Sequence, residues 1–139
     1  MYTEISHPDA DTNLQSHLNH IQQWATTWQM KISHEKSNIF KLNRSNNTQY
    51  FFENQPINQI DSAKDLGILF EPNLKFHSHI HNIVAKAKQR ASLIHRSFLS
   101  RDVVTFTRAF VVYVRPLLEY SAQVWSPSLI TLINEIEKV

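Results

Sequence analysis

The spacing of apolar residues along the chain changes near residue 72, where mixed helical and strand periods give way to helical periods alone. Before that point, apolar side chains recur at steps of three and four, at Leu14, Leu18, Ile21, Ala25 and Trp28. This period predicts an amphipathic helix from about Asn13 to Met30. Thr12 and Gln15 have the spacing of a capping box, so we expect the helix to begin beside them.

Short apolar runs between this helix and residue 72 predict strands. They cover Asn38 to Leu42, Tyr50 to Phe52, and Ile57 to Ile60. The last two runs flank a polar tetrapeptide with Asn54, a residue that tolerates positive φ, and therefore favour a β-hairpin. Asn43 to Thr48 is predicted to be a polar loop. We expect the hairpin strands and the run from Leu66 to Phe70 to form one small antiparallel sheet.

The run from Leu66 to Phe70 contains Gly67, the only glycine in the chain, and the turn residues Glu71-Pro72-Asn73 follow it. Its length and its apolar character predict a strand that is covered on both faces. A glycine inside a strand marks a bulge or a close approach by another backbone or by a ligand. The alternative is a glycine that only lets a neighbouring helix pack closely, and the pattern does not separate the two.

The remainder of the chain predicts three helices. Apolar residues first trace one face of a helix of about twenty residues, at Ile80, Ile83, Val84, Ala87, Ala91, Ile94 and Phe98. Ser100 is the predicted cap of a second helix from Arg101 to about Val114, which Pro116 ends. An apolar connector from Leu117 to Trp125 leads to a third helix that begins at Pro127. The fold class is therefore predicted to be α+β.

Length and composition fit one ordinary domain or two small subdomains. The chain has 139 residues, of which 42% are hydrophobic, so it can bury a core. It has no cysteine, which excludes a disulfide framework, a thiolate metal site and a cysteine nucleophile. No apolar run is long enough to span a membrane, and no signal-peptide pattern begins the chain. We therefore expect a soluble intracellular protein without a membrane partner, either nuclear or cytoplasmic.

The charge distribution is uneven. From Pro72 to Leu118 there are eight basic residues and one acid, a net charge of +7, whereas the rest of the chain carries −5. A basic segment on an otherwise acidic protein indicates a phosphate-bearing partner. The alternative is an ordinary solvated helix face, because exposed helices are often rich in lysine and arginine.

Three groups of side chains have metal-ligand chemistry: Asp9 with Asp11, His17 with His20, and His77, His79 and His81. The two aspartates precede a helix, where acids are favourable for the helix dipole, and no apolar strand holds them rigid. In the triplet, side chains two residues apart diverge by about 200°, and neither a cysteine nor a nearby carboxylate completes a site. The first histidine pair lacks a third ligand. We therefore predict no metal site in this chain.

Four sequence blocks occur in an order that carries family information. They are Trp28 to Ile32 with Glu35-Lys36; Lys64 to Ile68; Leu74 to Phe76 with His79-Ile80; and finally Arg96 to Phe98, Val114 to Tyr120, Val124 to Pro127 and Glu137 to Val139. Together they resemble the reverse transcriptase of non-LTR (LINE-type) retrotransposons, in the part downstream of its catalytic aspartates. The resemblance runs from about Leu14 to Val139. Two departures are Ser37, where the family often has cysteine, and Asn54, where it often has glycine.

The resemblance implies a fragment of a right-hand polymerase. Residues 1–72 would be the end of the palm, a helix with a small antiparallel sheet and a hairpin like the primer grip, and residues 73–139 a thumb-like three-helix bundle. The family's catalytic aspartates lie on earlier palm strands, so this truncated chain is expected to be inactive alone, without the Mg²⁺ of the intact polymerase. The expected partners are an RNA/DNA hybrid or primer-template and the missing palm-fingers portion of the polymerase.

Seven residues are predicted to contact nucleic acid from charge and from this resemblance: Lys36, Lys64, Gly67, Lys86, Lys88, Arg90 and Arg96. Lys36 falls at the position of the family's palm lysine near the incoming nucleotide, although a solvated lysine before a strand would look the same. The last four lie off the apolar face of their helix and would meet phosphate and sugar without reading sequence. Two alternatives stay open: a non-catalytic nucleic-acid-binding module, and a remnant that self-associates through exposed apolar surface.

Overall fold

The computed structural model describes residues 10–42, 48–99 and 102–139. Across these residues helices predominate and short strands alternate with turns, so the predicted α+β class is confirmed. The chain divides into two compact units between Ser62 and Ala63. The functional division into palm-like residues 1–72 and thumb-like residues 73–139 stays a prediction. Three predicted features lie outside the described ranges: Asp9, the cap Ser100 and the loop positions 43–47.

The first unit begins with helix α1 (Ala10–Thr27), whose Ala10 and Ala25 are buried. The helix starts three residues earlier than its period predicted, so the capping-box prediction is wrong and Gln15 lies inside the helix. The Gln15 side-chain amide instead brackets the backbone of Phe51. It donates to the Phe51 carbonyl oxygen and accepts from the Phe51 amide nitrogen, both at 2.9 Å. The Gln15 side chain thereby makes the two backbone hydrogen bonds that a neighbouring strand would make to Phe51.

The 3-10 turn His34–Lys36 and two hydrogen-bonded ladders complete the described part of the first unit. β2 (Phe51–Phe52) and β3 (Gln55–Pro56) form an antiparallel hairpin. β1 (Asn38–Phe40) and β4 (Asn58–Ile60) pair in parallel. In the hairpin turn Asn54 has a φ of 62°, so the positive φ predicted for this residue is confirmed.

The prediction of a single antiparallel sheet from the apolar runs is wrong. The run from Ile57 to Ile60 pairs in parallel with β1 instead of closing the hairpin. The run that ends at Phe70 belongs to the second unit, where it pairs with Ala63–Asp65. Short apolar runs predict that strands exist, but their pairing depends on partners distant in sequence, which the runs do not specify.

The second unit opens with a hairpin of β5 (Ala63–Asp65) and β6 (Ile68–Phe70), joined by a two-residue turn. The turn residues Leu66 and Gly67 have φ values of 45° and 88°. Positive φ at both central positions is typical of the type I′ turn, which matches the twist of a two-residue hairpin. The prediction of a continuous strand from Leu66 is therefore wrong, because the glycine supplies turn geometry and only β6 is extended.

Helices form the rest of this unit: α2 (His77–Ser97), α3 (Val103–Tyr113), α4 (Arg115–Glu119), α5 (Ala122–Trp125) and α6 (Ile130–Glu137). The first agrees with the long helix predicted after residue 72. Asp102 caps α3 by accepting hydrogen bonds from the amide and the hydroxyl of Thr105, both at 2.9 Å. The predicted connector from Leu117 to Trp125 consists instead of two short helices, and the last helix begins at Ile130 rather than Pro127.

The core of the second unit gathers residues from the hairpin, the helices and the segment between them: Ile68, Phe76, Ile80, Val84, Trp125 and Leu132. Burial of Ile80 and Val84 follows the apolar face that the period of α2 predicted. Because β6 contributes Ile68, the hairpin is packed onto the helices as part of the same core. Across residues 10–42, 48–99 and 102–139, no helix combines the length and apolar character needed to cross a bilayer.

Candidate nucleic-acid interface

The hairpin tip projects an apolar side chain into solvent. Leu66 is 81% exposed, although its left-handed backbone conformation is one that leucine adopts only at a cost. Its carbonyl oxygen accepts a 3.0 Å hydrogen bond from the hydroxyl of Tyr120. Neither conformational preference nor burial accounts for leucine here, so its side chain is free to make an external contact.

Gly67 is required by its backbone conformation and not by lack of space. A Cβ atom built on it would lie 3.8 Å from Cε1 of Tyr120, an ordinary van der Waals distance, whereas its φ of 88° disfavours other residues. The interpretation of this glycine as a bulge inside a strand is therefore wrong. Close helix packing does not require it either. Gly67 is exposed at the tip, and its contact with nucleic acid stays a prediction.

His79 holds the hairpin at a second point. Its Nδ1 accepts a hydrogen bond from the backbone nitrogen of Leu69 at 3.3 Å. The side chain is buried, and burial lowers the pKa of His79, with a smaller contribution from the positive charge of Lys86. With Nδ1 accepting, the neutral ring carries its proton on Nε2.

Trp125 connects the two holding points. Its buried indole packs edge-on to His79 with ring centroids 5.4 Å apart. Its Nε1 donates a 2.8 Å hydrogen bond to the carbonyl oxygen of Tyr120. We refer to His79, Tyr120 and Trp125 as the hairpin clamp. The clamp ties the hairpin to α2 and to the corner between α4 and α5.

The hairpin clamp was not found from the sequence. Tyr120 and Trp125 lie in the predicted connector, and His79 lies in a candidate metal-ligand triplet and in a block of the family resemblance, neither of which indicates a bond to Leu69. The N–H of a tryptophan usually finds a hydrogen-bond partner when it is buried, as that of Trp125 does. That rule does not identify the partner, and it does not apply to Tyr120, which is 56% exposed.

The basic residues of α2 lie on two different flanks. Side chains advance about 100° per residue, so positions four or seven apart share a face and positions nine apart are opposite. His79, Lys86 and Arg90 are related by steps of seven and four, and we call their side of α2 the hairpin flank because His79 contacts β6. Lys88 lies nine residues from His79, on the opposite side.

Lys88 shares its face with His81, whose Nδ1 lies 2.8 Å from the Glu135 carboxylate of α6. We call this side the α6 flank. Arg96 lies in the last turn of α2, where its Nε donates to the carbonyl oxygen of Ser92 at 3.3 Å. All four predicted basic residues of the helix are exposed. They do not, however, form one continuous face.

The hairpin flank carries two basic side chains that are not engaged in ion pairs with the described carboxylates. Within residues 10–42, 48–99 and 102–139, neither Lys86 nor Arg90 forms an ion pair. By contrast, Arg115 is paired with Glu119 at 2.6 Å. An exposed cation without an internal partner is free to meet phosphate without first breaking a contact.

The other two predicted lysines lie on different elements. Lys64 is exposed on β5, opposite Leu69 in the ladder, and belongs to the same hairpin as Gly67. Lys36 is exposed at the end of the 3-10 turn His34–Lys36, in the first unit. The second unit therefore contains six of the seven predicted site residues, on its hairpin and on α2.

Two of the three histidines in the His77–His81 segment have separate partners. His79 faces Leu69, and His81 faces Glu135. In the part of the chain that the structure describes, no group of three or more histidine, aspartate or glutamate side chains is arranged to hold a metal ion.

Asp11, considered from the sequence as half of a carboxylate pair, is engaged inside the first unit. Its two carboxylate oxygens accept hydrogen bonds from the Tyr50 hydroxyl at 2.5 Å and from the Thr48 hydroxyl at 2.7 Å. These bonds lower the pKa of Asp11. Burial, together with the same carboxylate, raises the pKa of Tyr50 to about 12. Asp11 therefore ties the segment before β2 to α1.

Comparison with known proteins relates the chain to RNA-directed DNA polymerases of mobile elements. It is 25% identical over 136 residues to the probable RNA-directed DNA polymerase from transposon X-element of Drosophila melanogaster, covering 94% of this chain and 15% of that protein. It is 27% identical over 132 residues to the RNA-directed DNA polymerase from mobile element jockey of the same organism, covering 91% and 14%.

An uncharacterised protein of Caenorhabditis elegans is 30% identical over 77 residues, which cover 55% of this chain and 39% of that protein. No protein-family model matches the chain, and no solved structure matches it significantly. The chain spans only 14% to 15% of the two polymerases. Their similarity to more than nine-tenths of its own length confirms the resemblance of this chain to the reverse transcriptases of non-LTR retrotransposons.

Proposed function

We propose that this chain is the part of a non-LTR reverse transcriptase that holds the primer-template, and that it is not catalytic by itself. The observation that carries the proposal is the hairpin flank. There, Lys86 and Arg90 are exposed and form no ion pair with any carboxylate that the structure describes, on the side of α2 that holds the hairpin. The two relatives that are RNA-directed DNA polymerases suggest the ligand, an RNA/DNA hybrid.

A polymerase must hold a duplex whose sequence it cannot know in advance. Phosphate contacts meet this need because they are the same at every nucleotide and carry no base information. Lys86 and Arg90 are separated by about 6 Å along the helix axis, so both reach the same short stretch of one strand. At the hairpin tip, Gly67 permits close approach of the backbone, and Leu66 offers apolar surface to a sugar.

The test is a titration of a primer-template hybrid at several salt concentrations with the double variant Lys86→Ala plus Arg90→Ala. Each phosphate contact contributes about 0.9 to the slope of log affinity against log salt. The variant should therefore reduce that slope by nearly two units. The loss should be similar on two unrelated sequences, because backbone contacts do not read bases.

The matched control is Lys88→Ala plus Arg96→Ala, which removes the same formal charge from the same helix but not from the hairpin flank. We expect a much smaller change of slope. Equal changes in the two variants would contradict the assignment to one flank. An unchanged slope in Lys86→Ala plus Arg90→Ala, or a loss confined to one sequence, would contradict backbone binding by this helix.

Lys36 is proposed to act near the incoming nucleotide in the intact polymerase, on the strength of the family resemblance. The Mg²⁺ of that enzyme is proposed to be held by carboxylates outside this chain. In the full-length polymerase, Lys36→Ala should slow nucleotide incorporation and leave hybrid affinity nearly unchanged. Equal incorporation rates would assign Lys36 to the solvated surface.

A second candidate function is protein association through α1. Trp24 and Trp28 are 54% and 66% exposed, with ring centroids 6.5 Å apart. Adjacent exposed aromatic side chains favour burial against another surface. In the intact polymerase that surface would belong to the missing palm-fingers portion. For the isolated chain it would belong to a second copy.

A further inference from the structure

The hairpin tip is held in place from outside the hairpin. A pair of three-residue strands is marginally stable by itself, and Leu66 occupies a conformation that leucine disfavours. The contact that fixes the tip is the 3.0 Å hydrogen bond from the Tyr120 hydroxyl to the Leu66 carbonyl oxygen. These two residues lie 54 positions apart in the sequence.

Tyr120 is itself anchored at its backbone. Its carbonyl oxygen accepts a 2.8 Å hydrogen bond from the buried indole of Trp125. The next residue, Ser121, has a φ of 52° and turns the chain between α4 and α5. The phenol ring lies beside Gly67. The Tyr120 backbone is therefore held in place, and its half-exposed side chain reaches the hairpin tip from there.

We propose that Tyr120 is a positioning residue that sets which nucleotide of a bound primer-template hybrid the hairpin tip touches. It does so by holding the carbonyl group of Leu66. The inference rests on the proposed function, since it takes the hybrid as the ligand of this unit. Tyr120 adds no charge and contacts no phosphate in this role, because it acts only through the placement of Leu66 and Gly67.

The rest of the hairpin clamp holds the hairpin in place relative to the basic side chains of α2. His79 binds Leu69 within β6 and lies on the hairpin flank with Lys86 and Arg90. Strand β6 and the basic side chains are therefore both tied to α2. Phosphates bound by the hairpin flank set the position of the hybrid along α2. Tyr120 then sets the position of the hairpin tip relative to the nucleotides of that hybrid. Loss of the Tyr120 hydroxyl frees the tip and leaves the basic flank unchanged.

The experiment uses the full chain with a benzophenone amino acid in place of Leu66, a site that is 81% exposed. The probe is a primer-template hybrid labelled at one end. With Tyr120 present, crosslinks should concentrate at one position counted from the primer end. With Tyr120→Phe they should spread to neighbouring nucleotides. Hybrid affinity should fall by about three- to ten-fold, as for the loss of one hydrogen bond, at an unchanged salt slope.

Tyr113→Phe is the matched control. Tyr113 lies on α3, is 54% exposed, and its hydroxyl has no hydrogen-bond partner among the described residues. This change should leave both the crosslink position and the affinity as they were. An unmoved crosslink in Tyr120→Phe overturns the inference even if affinity or yield falls, because a purely structural role weakens binding without moving the site.

The two proposals fail in different ways. If the chain with Tyr120 present binds no hybrid, the proposed function is wrong and this inference falls with it. If it binds hybrid with the expected salt slope but the crosslink position does not depend on Tyr120, only this inference is wrong.

Discussion

The Nδ1 atom of His79 accepts a hydrogen bond from the backbone nitrogen of Leu69, 3.3 Å away. Protonation at Nδ1 would place one donor against another, and it would put a charge into a buried ring. Burial and the nearby Lys86 accordingly hold the pKa of His79 below its ordinary value of 6.5. The junction between the hairpin and α2 therefore requires a neutral histidine.

We expect the second unit to lose stability in mild acid. Because folding lowers the pKa of His79, the unfolded chain takes up the proton first. The contribution is therefore fully present above about pH 6.5 and is lost as the pH falls below it. The measurement is the free energy of unfolding in urea as a function of pH, followed by Trp125 fluorescence with Trp24→Phe and Trp28→Phe as background.

The control for this prediction is His79→Gln in the same background. Comparison of the two pH profiles cancels the contribution of the other histidines. The profile of His79→Gln should be flatter in the acidic range. Parallel profiles would show that His79 does not couple protonation to folding.

Leu66→Asn should stabilise the hairpin. Leu66 has a φ of 45° and is 81% exposed, so the change removes a strained leucine with little loss of burial. It also creates the Asn-Gly pair that type I′ turns favour. The free energy of unfolding should rise by about 0.5 to 1 kcal/mol. If the tip meets nucleic acid as proposed, the same variant should bind hybrid more weakly.

Leu99→Asn provides the comparison, because Leu99 is a fully exposed leucine outside the turn. Its effect on the free energy of unfolding should stay within about 0.5 kcal/mol. A drop in stability for Leu66→Asn would mean that the leucine side chain supports the hairpin and is not retained for an external contact.

The isolated chain should not extend a primer, with either Mg²⁺ or Mn²⁺. Phosphoryl transfer by two metal ions needs convergent, rigidly held carboxylates. Asp11, the aspartate of the N-terminal pair that the structure describes, already accepts two hydrogen bonds from neighbouring hydroxyls. The assay is incorporation of labelled nucleotide on a primed RNA template. Incorporation above the level without protein would contradict the prediction.

The isolated chain should self-associate through α1. Burial of Trp24 and Trp28 against a second copy would remove a large apolar area from water. Trp24→Gln plus Trp28→Gln should therefore raise the dissociation constant at least about tenfold, as measured by sedimentation equilibrium. The comparison variant is Val103→Gln plus Val104→Gln, which changes exposed apolar residues on α3. An equal effect there would exclude α1 as the contact, and a monomeric unchanged chain would contradict self-association itself.

The long helix α2 was the most predictable part of this fold. The buried residues Ile80, Val84 and Ala87 of α2 recur at the spacing that its period indicated. A helix is built from hydrogen bonds between residues four apart, so a local pattern carries nearly all the information needed. The positive φ of Asn54 was predictable for the same reason, since it reflects the preference of one residue in a local turn.

The hairpin at Gly67 shows where local pattern fails. An apolar run that includes glycine looks like a strand, and the polar residues Lys64 and Asp65 before it do not. The glycine becomes a turn residue only because Ala63–Asp65 pairs with Ile68–Phe70. The hairpin clamp is still harder to predict from local pattern, because the hydrogen bond from Tyr120 to Leu66 joins residues 54 positions apart.

The basic residues of α2 show most clearly which features follow from the sequence and which depend on tertiary packing. The helical period alone predicts that these four side chains point away from the apolar face of the helix, and all four are exposed. Their separation into two flanks depends on which neighbour packs on each side. His79 contacts the hairpin, and His81 contacts Glu135 of α6. Periodicity orients a side chain around its own helix axis, but the identity of its neighbour is set by packing between segments far apart in the chain.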